Sequence, residues 1–125
     1  MKYTFISVVS LLAVLAVVAS AQDKSNSTDA ALKNPVAATP ESIAAGEAVY
    51  ARRCRGCHGK DATGGFAGAS NLVDDEWKNG SSDGEIFTVI RKGVGPDFRM
   101  EAWEDRLSDT DTWNVVNYLR SLAKK

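Results

Sequence analysis

Cys54, Cys57 and His58 stand together in the run Cys54-Arg55-Gly56-Cys57-His58, and they are the two cysteines and the one histidine of the 125-residue chain. Two thiols three positions apart, followed at once by an imidazole, have four chemistries open to them. A dithiol pair exchanges electrons when set in a strand–helix–strand context. A Cys-x-x-Cys pair makes half of a zinc site, but no further Cys or His exists to complete a tetrahedral set. With a thioether from Met, the same donors suit Cu(I). Finally, each thiol can form a thioether to one of the two vinyl groups on a porphyrin edge. The adjacent imidazole then falls beneath the iron as an axial base.

The surrounding elements decide among these. Thr39-Pro40 reads as an N-cap with proline at the first helical position, opening a helix from Pro40 to about Arg53. Ile43, Gly46 and Tyr50 share one face of it. A glycine inside a helix costs about 1 kcal/mol against alanine, so Gly46 predicts close approach of another helix. Ser82-Asp83-Gly84-Glu85 has the form of a capping box before the apolar stripe Ile86, Val89 and Ile90, with Gly93 as the stop. Ser108-Asp109-Thr110-Asp111 opens a third helix. There Val115, Tyr118, Leu119 and Leu122 line up on one face, widened by Trp113 and Val116. No segment alternates with period two, so the fold class is all-α. Glycines 56, 59, 64, 65 and 68 make a long irregular segment that needs something to wrap around. A domain this small buries only a modest core by itself. Both features favour a large apolar cofactor, and with them the covalent haem reading.

The chain ends add context. Lys2, the apolar run from Phe5 to Val18, and Ala19-Ser20-Ala21 read as a secretory leader over residues 1–21, with cleavage expected before Gln22. The stretch is nearly long enough to serve as an uncleaved anchor. In either case the remainder is exported, and a Sec-type leader suggests a periplasmic location. Residues 22–39 are small, polar and proline-interrupted, and are read as a flexible linker. The domain proper is 40–125. Hydrophobic residues at 44% and charged residues at 25% are ordinary for a globular protein. Fifteen basic against sixteen acidic residues, a formal charge of −1, argue against a nucleic-acid partner.

With these motifs in view, residues 40–125 resemble a class I c-type cytochrome. The signs are Gly46 and Tyr50 before CRGCH and the closing helix TWNVVNYLRSL. The segment NLVDDEWKNGSSDGEIFTVIRKGV is similar to small bacterial cytochromes related to the cytochrome subunits of haem-copper oxidases. The resemblance implies that the first and last helices cross, with Gly46 against Tyr118 and Tyr50 nearby. It implies one haem c on Cys54 and Cys57, with His58 as proximal ligand. It also implies a methionine ligand on the loop before the last helix, where Met100 lies in GPDFRMEAW. Met100 is the one methionine beyond the leader, and His/Met ligation suits an electron carrier. The competing reading is a gap-filling core methionine.

Two positions depart from the family pattern. Glu101 stands where a proline commonly follows the ligand, and Ser70 stands where a proline carbonyl usually receives the proximal His N–H. The Ser70 backbone carbonyl is still expected to fill that role. Trp77 and Arg91 are candidates to bind a haem propionate, against packed-core and solvated-helix alternatives. Trp103 is expected to shield the haem edge or pack the core. Arg52, Arg53, Arg55 and Lys60 make a basic region and Glu101, Glu104, Asp105, Asp109 and Asp111 an acidic one, a distribution that could orient docking.

The reading that follows is an exported monohaem single-electron carrier with His58/Met100 ligation, not an enzyme. Its partners would be redox proteins: an oxidase, a dehydrogenase or another cytochrome. A membrane enters only if the leader is retained. The alternatives are a dedicated acceptor of a periplasmic quinoprotein dehydrogenase, or a ligand-binding or catalytic haem protein with a labile sixth ligand.

Overall fold

The computed structural model describes residues 28–66, 68–96 and 99–123. The expected leader, 1–21, lies outside them. The described residues include the helices α1 (Pro40–Arg53), α2 (Arg55–His58), α3 (Asp83–Lys92) and α4 (Asp109–Ala123), besides one helical turn at 28–31. Among the described residues there is no strand, only an isolated antiparallel bridge between Val94 and Met100. The all-α expectation holds.

The helix ends follow the capping chemistry. The Thr39 hydroxyl accepts the Ser42 N–H at 3.2 Å, with Pro40 in the first turn. At α3, the Ser82 hydroxyl accepts the Glu85 N–H at 3.2 Å and the Glu85 carboxylate accepts the Ser82 N–H at 2.9 Å, closing the box reciprocally. The Ser108 hydroxyl accepts the Asp111 N–H at 3.0 Å. Gly93 ends α3 at φ +73°, in the left-handed region that glycine tolerates.

The core sits where α1 crosses α4. A Cβ built on Gly46 would lie 2.0 Å from the Asn114 carbonyl oxygen and 3.0 Å from Tyr118 Cβ. The expected Gly46–Tyr118 contact is therefore present, but the nearest approach is to the backbone one turn earlier. The Tyr50 and Tyr118 rings meet at 5.3 Å and 53°. Residues 112–119 of α4 are all buried, a wider band than one apolar stripe. Phe87 of α3 stacks on Trp113 with ring centroids 4.0 Å apart, fixing α3 to α4.

Three polar residues account for that extra width: Thr112, whose hydroxyl donates to the Ser108 carbonyl at 2.9 Å, Asn114 and Asn117. Asn114 Oδ1 accepts from the Ser42 hydroxyl at 2.7 Å, and Asn117 Nδ2 donates to Ser42 Oγ at 2.9 Å. Asn117 also donates to the Val36 carbonyl at 3.1 Å and accepts from Asn34 Nδ2 at 2.8 Å. Residues 34–37 are thereby tied to α4, which corrects the flexible-linker expectation over that part of 22–39. Farther back, the Asp29 and Leu32 backbone lies against Gly84, where a Cβ would stand 2.0 Å from the Asp29 carbonyl oxygen.

Candidate haem site

His58 is the last residue of α2, a single turn that continues from α1 through Cys54. Beyond it the chain reverses. Gly59 takes φ +84°, and the Gly64 N–H returns to the His58 carbonyl at 2.8 Å. The Tyr50 hydroxyl donates to the Gly59 carbonyl at 2.7 Å, tying this reversal to α1. Burial, first of all, pushes the Tyr50 hydroxyl well above its ordinary range, so it remains a proton donor. Gly64 sits at φ +78°, and its missing Cβ would lie 2.6 Å from the Ala69 and Ser70 carbonyl oxygens. The Leu72 N–H closes the loop on the Ala62 carbonyl at 2.8 Å.

This folding brings the Ser70 carbonyl to 3.1 Å from His58 Nδ1. A carbonyl only accepts, so Nδ1 is the donor in this bond, and in the neutral ring that tautomer places the lone pair on Nε2. The Ser70 expectation is met, and the bond orients the ring with Nε2 as the nitrogen free of this contact.

Cys54, Cys57 and His58 border a cavity of about 670 Å³ that Met100, Trp77 and Trp103 also line. Its volume is that of a site for a sizeable organic group. Burial, with Cys57 adding to it, pushes the Cys54 thiol up to about 11. Met100 reaches the cavity because its loop is laid back on the end of α3. The Val94 N–H donates to the Met100 carbonyl at 2.9 Å and the Trp103 N–H to the Ile90 carbonyl at 3.1 Å. Gly93 makes room, since a Cβ there would lie 2.5 Å from the Met100 carbonyl oxygen. Val89, expected in the buried stripe, also lines the cavity.

The two weaker candidates separate. Trp77 lines the cavity and lies under the Arg120 guanidinium, 5.7 Å from its ring centroid. Arg120 itself is held by Asp83 at 2.8 Å and by the Ser81 carbonyl. Arg91 is not part of the cavity lining. Its guanidinium donates to the Leu107 carbonyl at 2.7 Å and pairs with Asp109 at 3.1 Å, so it anchors the start of α4. The propionate expectation for Arg91 is corrected on that ground. The cations that do line the cavity are Arg53, Lys78 and Arg99. Sequence reasoning passed over Lys78 and Arg99 because isolated cations in loops carry no periodic or spacing signal.

A soft-sulfur and imidazole donor set around a large, mainly apolar cavity, enclosed by a helix pair crossing at a glycine, defines a class I c-type cytochrome. Residues 41–119 match the family model described as "Cytochrome C oxidase, cbb3-type, subunit III", and the chain belongs to that family. It is 39% identical over 84 residues to the cbb3-type cytochrome c oxidase subunit FixP of Bradyrhizobium sp. (strain ORS 278), covering 64% of this chain and 27% of that protein. It is 37% identical over 85 residues to the subunit CcoP of Rhodobacter capsulatus, covering 63% and 29%. The chain thus spans under a third of these relatives. Among solved structures it resembles cytochrome CL of Methylophaga aminisulfidivorans, with a TM-score of 0.59 and 27% identity over 66% of this chain and 53% of that one. The all-α cytochrome c fold is shown by that likeness.

Proposed function

We propose that the chain is a monohaem electron carrier, not an enzyme, in which Cys54 and Cys57 hold one haem c by thioethers and His58 and Met100 are its axial ligands. The observation that carries this reading is the His58 Nδ1–Ser70 carbonyl bond in a cavity shared with both cysteines and Met100. Haem supplies a reversible one-electron couple when bound. The chain's own part is to hold that group rigidly and dry. The Ser70 carbonyl raises the basicity of the His58 ring and fixes its plane. Met100 offers a neutral thioether, which favours the reduced state relative to a second imidazole. Arg53, Lys78 and Arg99 offer positive charge to the propionates, and Trp77 and Trp103 exclude water from the ring.

The partner is proposed to be a redox protein complex on the outer side of the cytoplasmic membrane. Residues 1–21 direct export and are either cleaved before Gln22 or kept as an anchor. Among the described residues, no helix is long and apolar enough to cross a membrane. The test is intact-mass measurement after denaturation of protein produced with haem-maturation machinery. The reading expects the mass of exactly one haem retained by wild type and lost in Cys54→Ser/Cys57→Ser. Wild type that sheds its haem on denaturation would overturn covalent attachment, and sequencing of the mature N-terminus settles the leader.

A further inference from the structure

We propose that Glu101 and Arg106 form a latch that positions Met100, a role that rests on Met100 being the sixth ligand. The loop is fixed on its α3 side by the backbone bond from the Val94 N–H to the Met100 carbonyl. Immediately after Met100, the Glu101 carboxylate pairs with the Arg106 guanidinium at 3.0 Å. Arg106 is not a free surface cation. The Arg106 and Leu107 N–H groups both bond the Trp103 carbonyl at 2.9 Å, forming a turn that lays the guanidinium over the Trp103 ring, 5.2 Å from its centroid. Trp103 in turn lines the cavity and is tied to α3 through the Ile90 carbonyl. The ion pair therefore closes a short loop whose far end is a wall of the cavity and whose near end is the residue beside the thioether. It restrains the one stretch, 101–102, between two backbone anchors. Both partners are about half exposed, with side chains at 52%, so the latch tunes the site and salt weakens it.

Imidazole, a neutral ligand that competes for the sixth position, reads this directly in the oxidised holoprotein. In low salt, Glu101→Gln and Arg106→Gln should each bind imidazole about two- to fivefold more tightly than wild type. The exchanged pair Glu101→Arg/Arg106→Glu should recover most of the difference. In 1 M salt wild type should approach the single variants, which themselves should respond little to salt. Singles that match wild type in low salt, while Met100→Ala binds imidazole far more tightly, would overturn the latch and leave Met100 ligation intact. Met100→Ala that binds no better than wild type would overturn Met100 ligation, and the latch with it.

Discussion

Gly46 and Asn114 touch so closely that the first atom of any side chain at position 46 would stand 2.0 Å from the Asn114 carbonyl oxygen. Asn114 is backbone at that contact, inside α4, and has no rotamer with which to retreat. Gly46→Ala therefore sets two effects against each other. Helix propensity favours alanine by about 1 kcal/mol, and overpacking against backbone costs about 2–3 kcal/mol. The clash should win. Denaturant unfolding of the holoprotein should show net destabilisation of about 1–2 kcal/mol, and a stabilised variant would mean the helices do not cross there.

Asn117 joins Ser42, Val36 and Asn34, so its removal strands partners on two segments. Asn117→Ala should cost about 1–3 kcal/mol, the range for leaving buried polar groups unsatisfied. It should also release residues 34–37, read as faster amide exchange at Val36, whose own N–H bonds Asn34 Oδ1 at 2.8 Å.

Gly64 acts at one remove on His58, the proposed proximal ligand. At φ +78°, with a Cβ that would lie 2.6 Å from the Ser70 carbonyl, Gly64→Ala must move the acceptor of the His58 N–H. Weakening that bond makes the imidazole a poorer donor and stabilises the reduced state. The reduction potential should rise relative to wild type in a voltammetric measurement.

The capping box sets a pH dependence. Hydrogen bonds from Ser82 hold the Glu85 carboxyl below its ordinary 4.5. A lowered folded-state value stabilises the protein above the unfolded value, and the stabilisation is lost as pH falls through the folded one. Glu104 follows the same sign through its bond to Lys92. Glu85→Gln should be less stable than wild type near pH 7, and the two should converge in acid. Parallel curves across pH 2–7 would contradict the assignment.

Local chemistry was legible in the sequence, and distant pairing was not. Thr39, Ser82 and Ser108 marked the three long helix starts because a cap and its target lie within three residues. Cys54, Cys57, His58 and Met100 were read as candidate donors, and the structure brings all four to one cavity. Ser70 was found through the family resemblance, at the position where a proline usually stands, since the acceptor is backbone and any residue type could supply it. Asn34 gave no signal, because its partner Asn117 is 83 residues away and a polar residue in a Pro-containing linker reads as solvent-facing. Arg91 was misplaced for a related reason. Its position on α3 was right, but the Leu107 carbonyl and Asp109 that hold it arrive with the next helix.

The central claim, His58/Met100 ligation in a low-spin electron carrier, is tested most directly by the far-red absorption of the oxidised protein. Wild type should show the weak sulfur-to-iron charge-transfer band, and Met100→Ala should lose it while keeping its covalent haem. A high-spin wild-type spectrum without that band, unchanged in Met100→Ala, would contradict the account.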